Sequence, residues 1–251
     1  MKGYKRSDIG KVRRVNEDAT TIVESSESIF AIVADGMGGH QAGDVASKLT
    51  IDSLQQLWKE KEIELLNRDE TKIWLMDAIK QTNRAILNYV KENVHLKGMG
   101  TTVVAAISTR EYFIVAHIGD SRAYVLDEHS ISQVTKDHSL VGELVRSGHL
   151  SEEDALFHPK KNVILKALGT DEEVEPDIYI SDWNEKKLLL LCTDGLTNKI
   201  TDNELYEKLS KNCTQQKIEE LIHIANERGG EDNITIAVID HQLESAGDTT
   251  C

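Results

Sequence analysis

The chain has 251 residues, is 39% hydrophobic and carries a formal net charge of −14. Charge of that sign and size repels phosphodiester backbones and anionic lipid, which disfavours non-specific nucleic-acid and anionic-membrane binding. With only 2 prolines and no low-complexity stretch, the composition also excludes long linkers and predicts one folded domain over residues 1–243, followed by a short flexible tail at 244–251. The 3 cysteines, Cys192, Cys213 and Cys251, have no zinc-ligand spacing, and their odd number suits a reducing compartment. The amino terminus lacks an apolar leader and no run of ~18 apolar residues occurs. A cytoplasmic chain without membrane insertion is the expectation.

In chain order, Ser28 to Ala34 is an apolar, β-branched run ending at Asp35 and reads as a buried strand. Glycines 36, 38, 39 and 43 then lead into a helix carrying Val45, Leu49, Leu54, Leu57 and Trp58. A longer helix is predicted from about Glu70 to Asn93, with a stripe of Leu75, Ile79, Ile86 and Val90. Strands follow at Thr101–Ser108, Tyr112–His117, Ala123–Asp127 and Ile131–Val134, read as a meander with short turns. The polar stretch Ser139–Asn162 has weak helical character and is a candidate flap. Strands at Ile178–Ser181 and Leu188–Thr193 precede a pair of helices at Asp202–Leu209 and Gln215–Arg228, and a further strand follows at Ile234–Asp240. Paired helices and runs of strands argue for an α+β fold in layers rather than a βαβ alternation: a four-layer α-β-β-α sandwich, two antiparallel sheets flanked by helix pairs.

Short acidic motifs recur at changes of structure. Asp35-Gly36 and Asp194-Gly195 each follow a strongly apolar strand. A carboxylate there is costly unless it is paired or binds metal; a helix N-cap is the alternative for Asp35. Hard divalent ions such as Mg²⁺ and Mn²⁺ take oxygen ligands of this kind. Glu231-Asp232-Asn233 reads either as a ligand set or as a turn after Gly229-Gly230. Gly119-Asp120 reads as a ligand or as a hairpin turn, and Arg13 as a phosphate ligand or a solvated charge. Gly36-Met37-Gly38-Gly39 satisfies neither the Walker pattern nor the dinucleotide pattern. No Ser/His/Asp or Cys/His arrangement can be read around Ser121 or Cys192.

The ordered set Arg13…Asn16-Glu17-Asp18, Ala34-Asp35-Gly36-Met37-Gly38-Gly39-His40, Gly98-Met99-Gly100-Thr101-Thr102, Gly119-Asp120-Ser121-Arg122, Asp137-His138-Ser139, Ala167-Leu168-Gly169, Thr193-Asp194-Gly195-Leu196-Thr197 and Gly229-Gly230-Glu231-Asp232-Asn233-Ile234-Thr235 resembles the metal-dependent type 2C Ser/Thr protein phosphatases, the small bacterial branch in particular. The resemblance implies the α-β-β-α sandwich and two Mn²⁺ or Mg²⁺ ions bridged by Asp35. The Gly36 carbonyl would complete one ion's shell, with Asp194 and Asp232 on the other. Asp18, with Glu17, would hold metal-bound water, and a third, weaker metal site would fall on Asp120 and share Asp194. Arg13 would bind phosphate, with His40 and Asn233 in supporting positions. A hydroxide bridging the two ions would attack phosphoserine or phosphothreonine in line, counteracting a cognate Ser/Thr kinase, in a monomer acting on phosphorylated proteins. Two departures stand out. Met37 occupies the position where animal members have a histidine general acid, and Lys166 stands where many relatives have arginine.

Overall fold

The computed structural model describes residues 1–39, 42–60, 67–184, 187–211 and 213–241. The predicted tail at 244–251 lies outside these residues, as does His40. Eleven strands are described: β1 (Lys2–Asp8), β2 (Asp18–Glu24), β3 (Ser28–Met37), β4 (Gly100–Thr101), β5 (Val103–Thr109), β6 (Tyr112–Ile118), β7 (Arg122–Leu126), β8 (Ile131–Gln133), β9 (Asp177–Asp182), β10 (Leu188–Cys192) and β11 (Ile234–Asp240). Seven helices accompany them: α1 (Ala42–Glu60), α2 (Arg68–Glu92), α3 (Leu140–Arg146), α4 (Glu152–Phe157), α5 (Asp194–Thr197), α6 (Asp202–Leu209) and α7 (Gln215–Glu227). One antiparallel sheet runs β1-β11-β10-β7-β8 and the other β2-β3-β5-β6-β9, with β4 extending the pairing of β3.

The layers follow from the two-residue period of the strands. Along β3, Phe30, Ile32 and Ala34 pack under α1 and α2 beside Leu54, Leu75 and Ile79. The alternate residues Ile29, Ala31 and Val33 meet Leu189, Leu191 and Ile239 of the opposing sheet. On the far side, Leu190, Ile236 and Val238 pack under α6 and α7 against Leu205, Leu209, Ile218 and Leu221. Both faces of the central strands are covered, so these strands read as continuous apolar runs. Each fully buried Leu or Ile contributes roughly 1.5–3 kcal/mol. The four-layer α-β-β-α expectation therefore holds.

Three local expectations change. The predicted meander is split: β5 and β6 pair in one sheet and β7 and β8 in the other, so Gly119-Asp120-Ser121 is a crossing between sheets and not a hairpin turn. Asp35 does not end its strand or cap a helix, because β3 continues through Gly36 and Met37, which pair with Thr101 and Gly100. Two strands have no counterpart in the sequence reading, β1 and β2. β1 borders its sheet beside β11 and β2 borders the other beside β3. Edge strands with one wet face carry polar residues, and Lys2–Asp8 and Asp18–Glu24 show little apolar signal.

Candidate metal centre

The acidic motifs meet at one end of the sandwich because strand register sends them there. Asp35 continues the row Ile29, Ala31, Val33 that faces the opposing sheet. Asp18 is its direct cross-strand partner. Two carboxylates placed opposite each other on one face repel, and a strand pair retains them only where something compensates. Across the gap, β10 ends at Cys192 and Thr193 caps the short helix that begins with Asp194. β11 runs antiparallel to β10 with Cys192 opposite Ile236, so Asp232 and Asn233 arrive at the same end. Asp120 arrives on the sheet crossing.

Hydroxyls and amides hold this end together. Thr193 Oγ1 donates to Asp18 Oδ2 at 2.9 Å and accepts the Thr235 backbone N–H at 3.0 Å, joining the two sheets. Asn233 accepts the Glu17 backbone N–H on its side-chain oxygen at 2.8 Å. Its amide donates to the carbonyls of Ile9 and Val15 at 2.9 and 3.1 Å. That one side chain fixes the loop bearing Arg13 to the start of β2. Arg13 donates to Asp232 at 2.9 Å and stands 4.0 Å from Glu17, with its side chain 47% exposed.

The electrostatics are those of buried acids crowded together, with Arg13 paired to Asp232 at the rim. Burial, then the charges of Asp18, Asp194, Asp120 and Asp232, push the Asp35 carboxyl well above its ordinary 3.8. Burial pushes Asp18 up to about 7 against the opposing hydrogen bonds of Thr235 and Thr193, with Asp194 and Asp232 adding to the rise. Burial, then Asp194 and Asp137, raises Asp120 to about 7. Burial, then Asp232, raises Asp194 to about 6. Glu17 is raised too, chiefly by burial. Asp18 is 6% and Asp120 8% exposed, yet Oδ1 of each has no hydrogen-bond donor. Buried carboxylate oxygens without donors are rare and call for an unseen partner. Among the described residues no three carboxylate, histidine or cysteine side chains close into a complete cage. Ions that keep much of their water shell need only one or two carboxylates each plus solvent, and this all-oxygen set fits Mg²⁺ or Mn²⁺ on those terms.

All sequence-derived site residues within the described structure fall at this end, and four of the aspartates act on Asp35 through their charge. His117 and His138 lie nearby as braces. Their ring centroids lie 4.7 Å apart with the planes tilted by 31°. His138 accepts the Gly119 N–H on Nδ1 at 3.1 Å and faces Asp177 through Nε2 at 3.3 Å. Burial, then His138, lowers His117 to about 4, which keeps it neutral. Lys166 donates to the Glu175 carbonyl at 2.9 Å and stands 3.8 Å from Asp177. The sequence reading gave no role to Thr193 or Thr102. Thr193 adjoins Asp194 after an apolar strand, whereas Thr102 adjoins no acidic residue in sequence and meets Asp35 only through strand pairing.

A family model for protein phosphatase 2C matches residues 10–234. The serine/threonine phosphatase stp of Listeria monocytogenes is 44% identical over 244 residues, spanning 96% of each chain. The crystal structure of serine/threonine phosphatase Stp1 from Staphylococcus aureus superposes with a TM-score of 0.90 at 37% identity, covering 96% of this chain and 95% of that one. The catalytic domain of the serine/threonine protein phosphatase PstP, solved in complex with 2 manganese ions, superposes with a TM-score of 0.81 at 35% identity, over 95% and 97% of the two chains. Full-length matches in sequence and in fold, together with the acidic end of the sandwich, place this chain in the protein phosphatase 2C family.

Proposed function

We propose that this chain is a Mn²⁺- or Mg²⁺-dependent phosphatase that hydrolyses phosphoserine and phosphothreonine on proteins. The observation that carries the reading is the convergence of Asp18, Asp35, Asp120, Asp194 and Asp232 from both sheets, with donor-less buried oxygens on Asp18 and Asp120. Asp35, the Gly36 carbonyl, Asp194 and Asp232 would hold two ions, Glu17 and Asp18 would hold their water, and Asp120 with Asp194 would take a third. When bound, such ions supply Lewis acidity, making water acidic near neutral pH and shielding phosphoryl charge. Arg13, already extended beside Asp232, offers paired N–H donors to phosphoryl oxygens. Thr193 and Asn233 keep the acids and the arginine loop in register while charge moves.

The domain is assigned to residues 1–243, acting as a cytoplasmic monomer opposed to a Ser/Thr kinase. No helix among the described residues is long and apolar enough to cross a membrane. The segment Ser139–Asn162 carries α3 and α4, with Phe157 87% exposed, and serves as a flap that contacts the protein substrate. The test is phosphate release from a phosphothreonine peptide with Mn²⁺ titrated in and then chelated. Turnover that depends on metal and disappears in Asp35→Ala and Asp194→Ala is expected. Full activity in either folded variant would sink the proposal.

A further inference from the structure

Asp35 is gripped by its backbone in a way the flanking ladder does not require. From Ser28 to Val33, β3 pairs with β5 in a regular antiparallel register, and Gly36 and Met37 pair with β4 in the same register. Between these segments, Thr102 stands opposite Asp35. The Thr102 N–H donates to the Asp35 carbonyl at 2.9 Å, as a ladder bond should. The return bond is diverted: the Asp35 N–H donates to the Thr102 hydroxyl at 3.0 Å. The Thr101 hydroxyl adds a further donor to the Asp35 carbonyl at 2.9 Å.

The same Thr102 hydroxyl lies 2.7 Å from Ser121 Oγ. Its methyl and Cβ pack so closely on Gly119 that a Cβ there would stand 2.5 Å from the methyl and 2.6 Å from Cβ, and Gly119 has φ +111°. Thr102 therefore holds Asp35 and touches both residues flanking Asp120. Thr102 and Ser121 are wholly buried, so no water competes for these bonds, and the link is short and stiff.

We propose that Thr102 is a positioning residue, which through Ser121 and Gly119 fixes the separation of Asp35 and Asp120 and so couples metal binding at the sheet end to metal binding at the sheet crossing. The inference rests on the metal-dependent reading above. A hydroxyl and a methyl are both needed at position 102: the first bonds Asp35 and Ser121, the second packs on Gly119. Partners that orient ligands without touching the metal commonly set affinity by about 10–100-fold.

The test is calorimetric titration of the metal-free protein with Mn²⁺, alongside the Mn²⁺-induced rise in melting temperature. Thr102→Val keeps the methyl contact and removes the hydroxyl; it is expected to weaken Mn²⁺ binding about tenfold or more. Thr102→Ser, which keeps the hydroxyl, is expected to stay closer to wild type than Thr102→Val. Ser121→Ala leaves Asp35 gripped but cuts the link to the crossing, and is expected to weaken Mn²⁺ binding even if Thr102→Val fails to fold. Wild-type affinity and stoichiometry in folded Thr102→Val or in Ser121→Ala would overturn the coupling alone. Absence of Mn²⁺ binding by the wild-type chain would overturn the metal-dependent reading and this inference with it.

Discussion

The acidic end should make the metal-free fold less stable, and Asp18→Asn measures by how much. Burial first, then the charges of Asp194 and Asp232, lift the Asp18 carboxyl from 3.8 to about 7. Ionising a carboxyl so perturbed costs the folded state on the order of 4 kcal/mol. The sign follows from proton counts. Between those two values the folded chain retains a proton that the unfolded chain has released. Stability therefore falls as pH rises through that window, and the loss is complete above the folded value. Asparagine removes the charge and keeps an oxygen to accept from Thr193 Oγ1. In chelator near pH 8 the variant is expected to be more stable than wild type by roughly 2–4 kcal/mol, because neighbouring charges relax in part. For a chain of this size that is a rise in melting temperature of roughly 4–8 °C. Near pH 5 the gap should shrink by more than half, since wild type is then mostly protonated. With Mn²⁺ present the order should invert, because the variant loses part of the stabilisation that metal confers. Scanning calorimetry at both pH values, with and without chelator, reads all of this. A variant that melts at or below wild type in chelator near pH 8 would refute the claim that the Asp18 charge is held against the cost of burial and the repulsion of its neighbours.

Arg13 is half exposed and bonded only through its guanidinium to Asp232 and toward Glu17. Arg13→Ala should therefore leave the melting temperature within a few degrees while lowering kcat/KM on a phosphopeptide about 10²–10³-fold, the usual scale for losing a donor to transition-state charge; a drop under threefold would remove Arg13 from the phosphate site. At Gly36, a Cβ would overlap the Gly43 carbonyl and lie 2.7 Å from the Glu17 carbonyl. Gly36→Ala should displace the start of α1, destabilise the fold by roughly 1–3 kcal/mol in urea, and weaken Mn²⁺ binding; an unchanged urea midpoint would contradict that packing.

Legibility in the sequence tracked how local each signal was. The cores of β3, β10 and β11 follow from continuous apolar runs, because both faces of those strands are buried, and the predicted helix at Asp202–Leu209 coincides with α6. β1 and β2 escape, since Lys2–Asp8 and Asp18–Glu24 earn their strand conformation from neighbours far along the chain, Ile234–Asp240 and Ser28–Met37. Asp35 and Asp194 were legible because a carboxylate after an apolar run is chemically conspicuous. Whether Gly119-Asp120-Ser121 turns back or crosses between sheets was not, because a tight turn and a sheet switch use the same glycine chemistry. The hydroxyls of Thr102 and Thr193 were invisible for a related reason: threonine suits any strand, and only the register shows which carboxylate it meets.

The pairing of the first strand with the last has a bearing on how the chain comes into use in the cell. β11 is the final described element; it lies between β1 and β10 and carries in Asp232 and Asn233 just ahead of it. Until those residues leave the ribosome, β1 has no partner in its sheet, and the loop bearing Arg13 lacks the Asn233 clamp. A chain that stops short of Asp232 thus carries every strand of the sheet built on β3 and still lacks part of the proposed centre. It would lack one acid of that centre and the clamp on the Arg13 loop, and would be unable to strip phosphate indiscriminately from its surroundings.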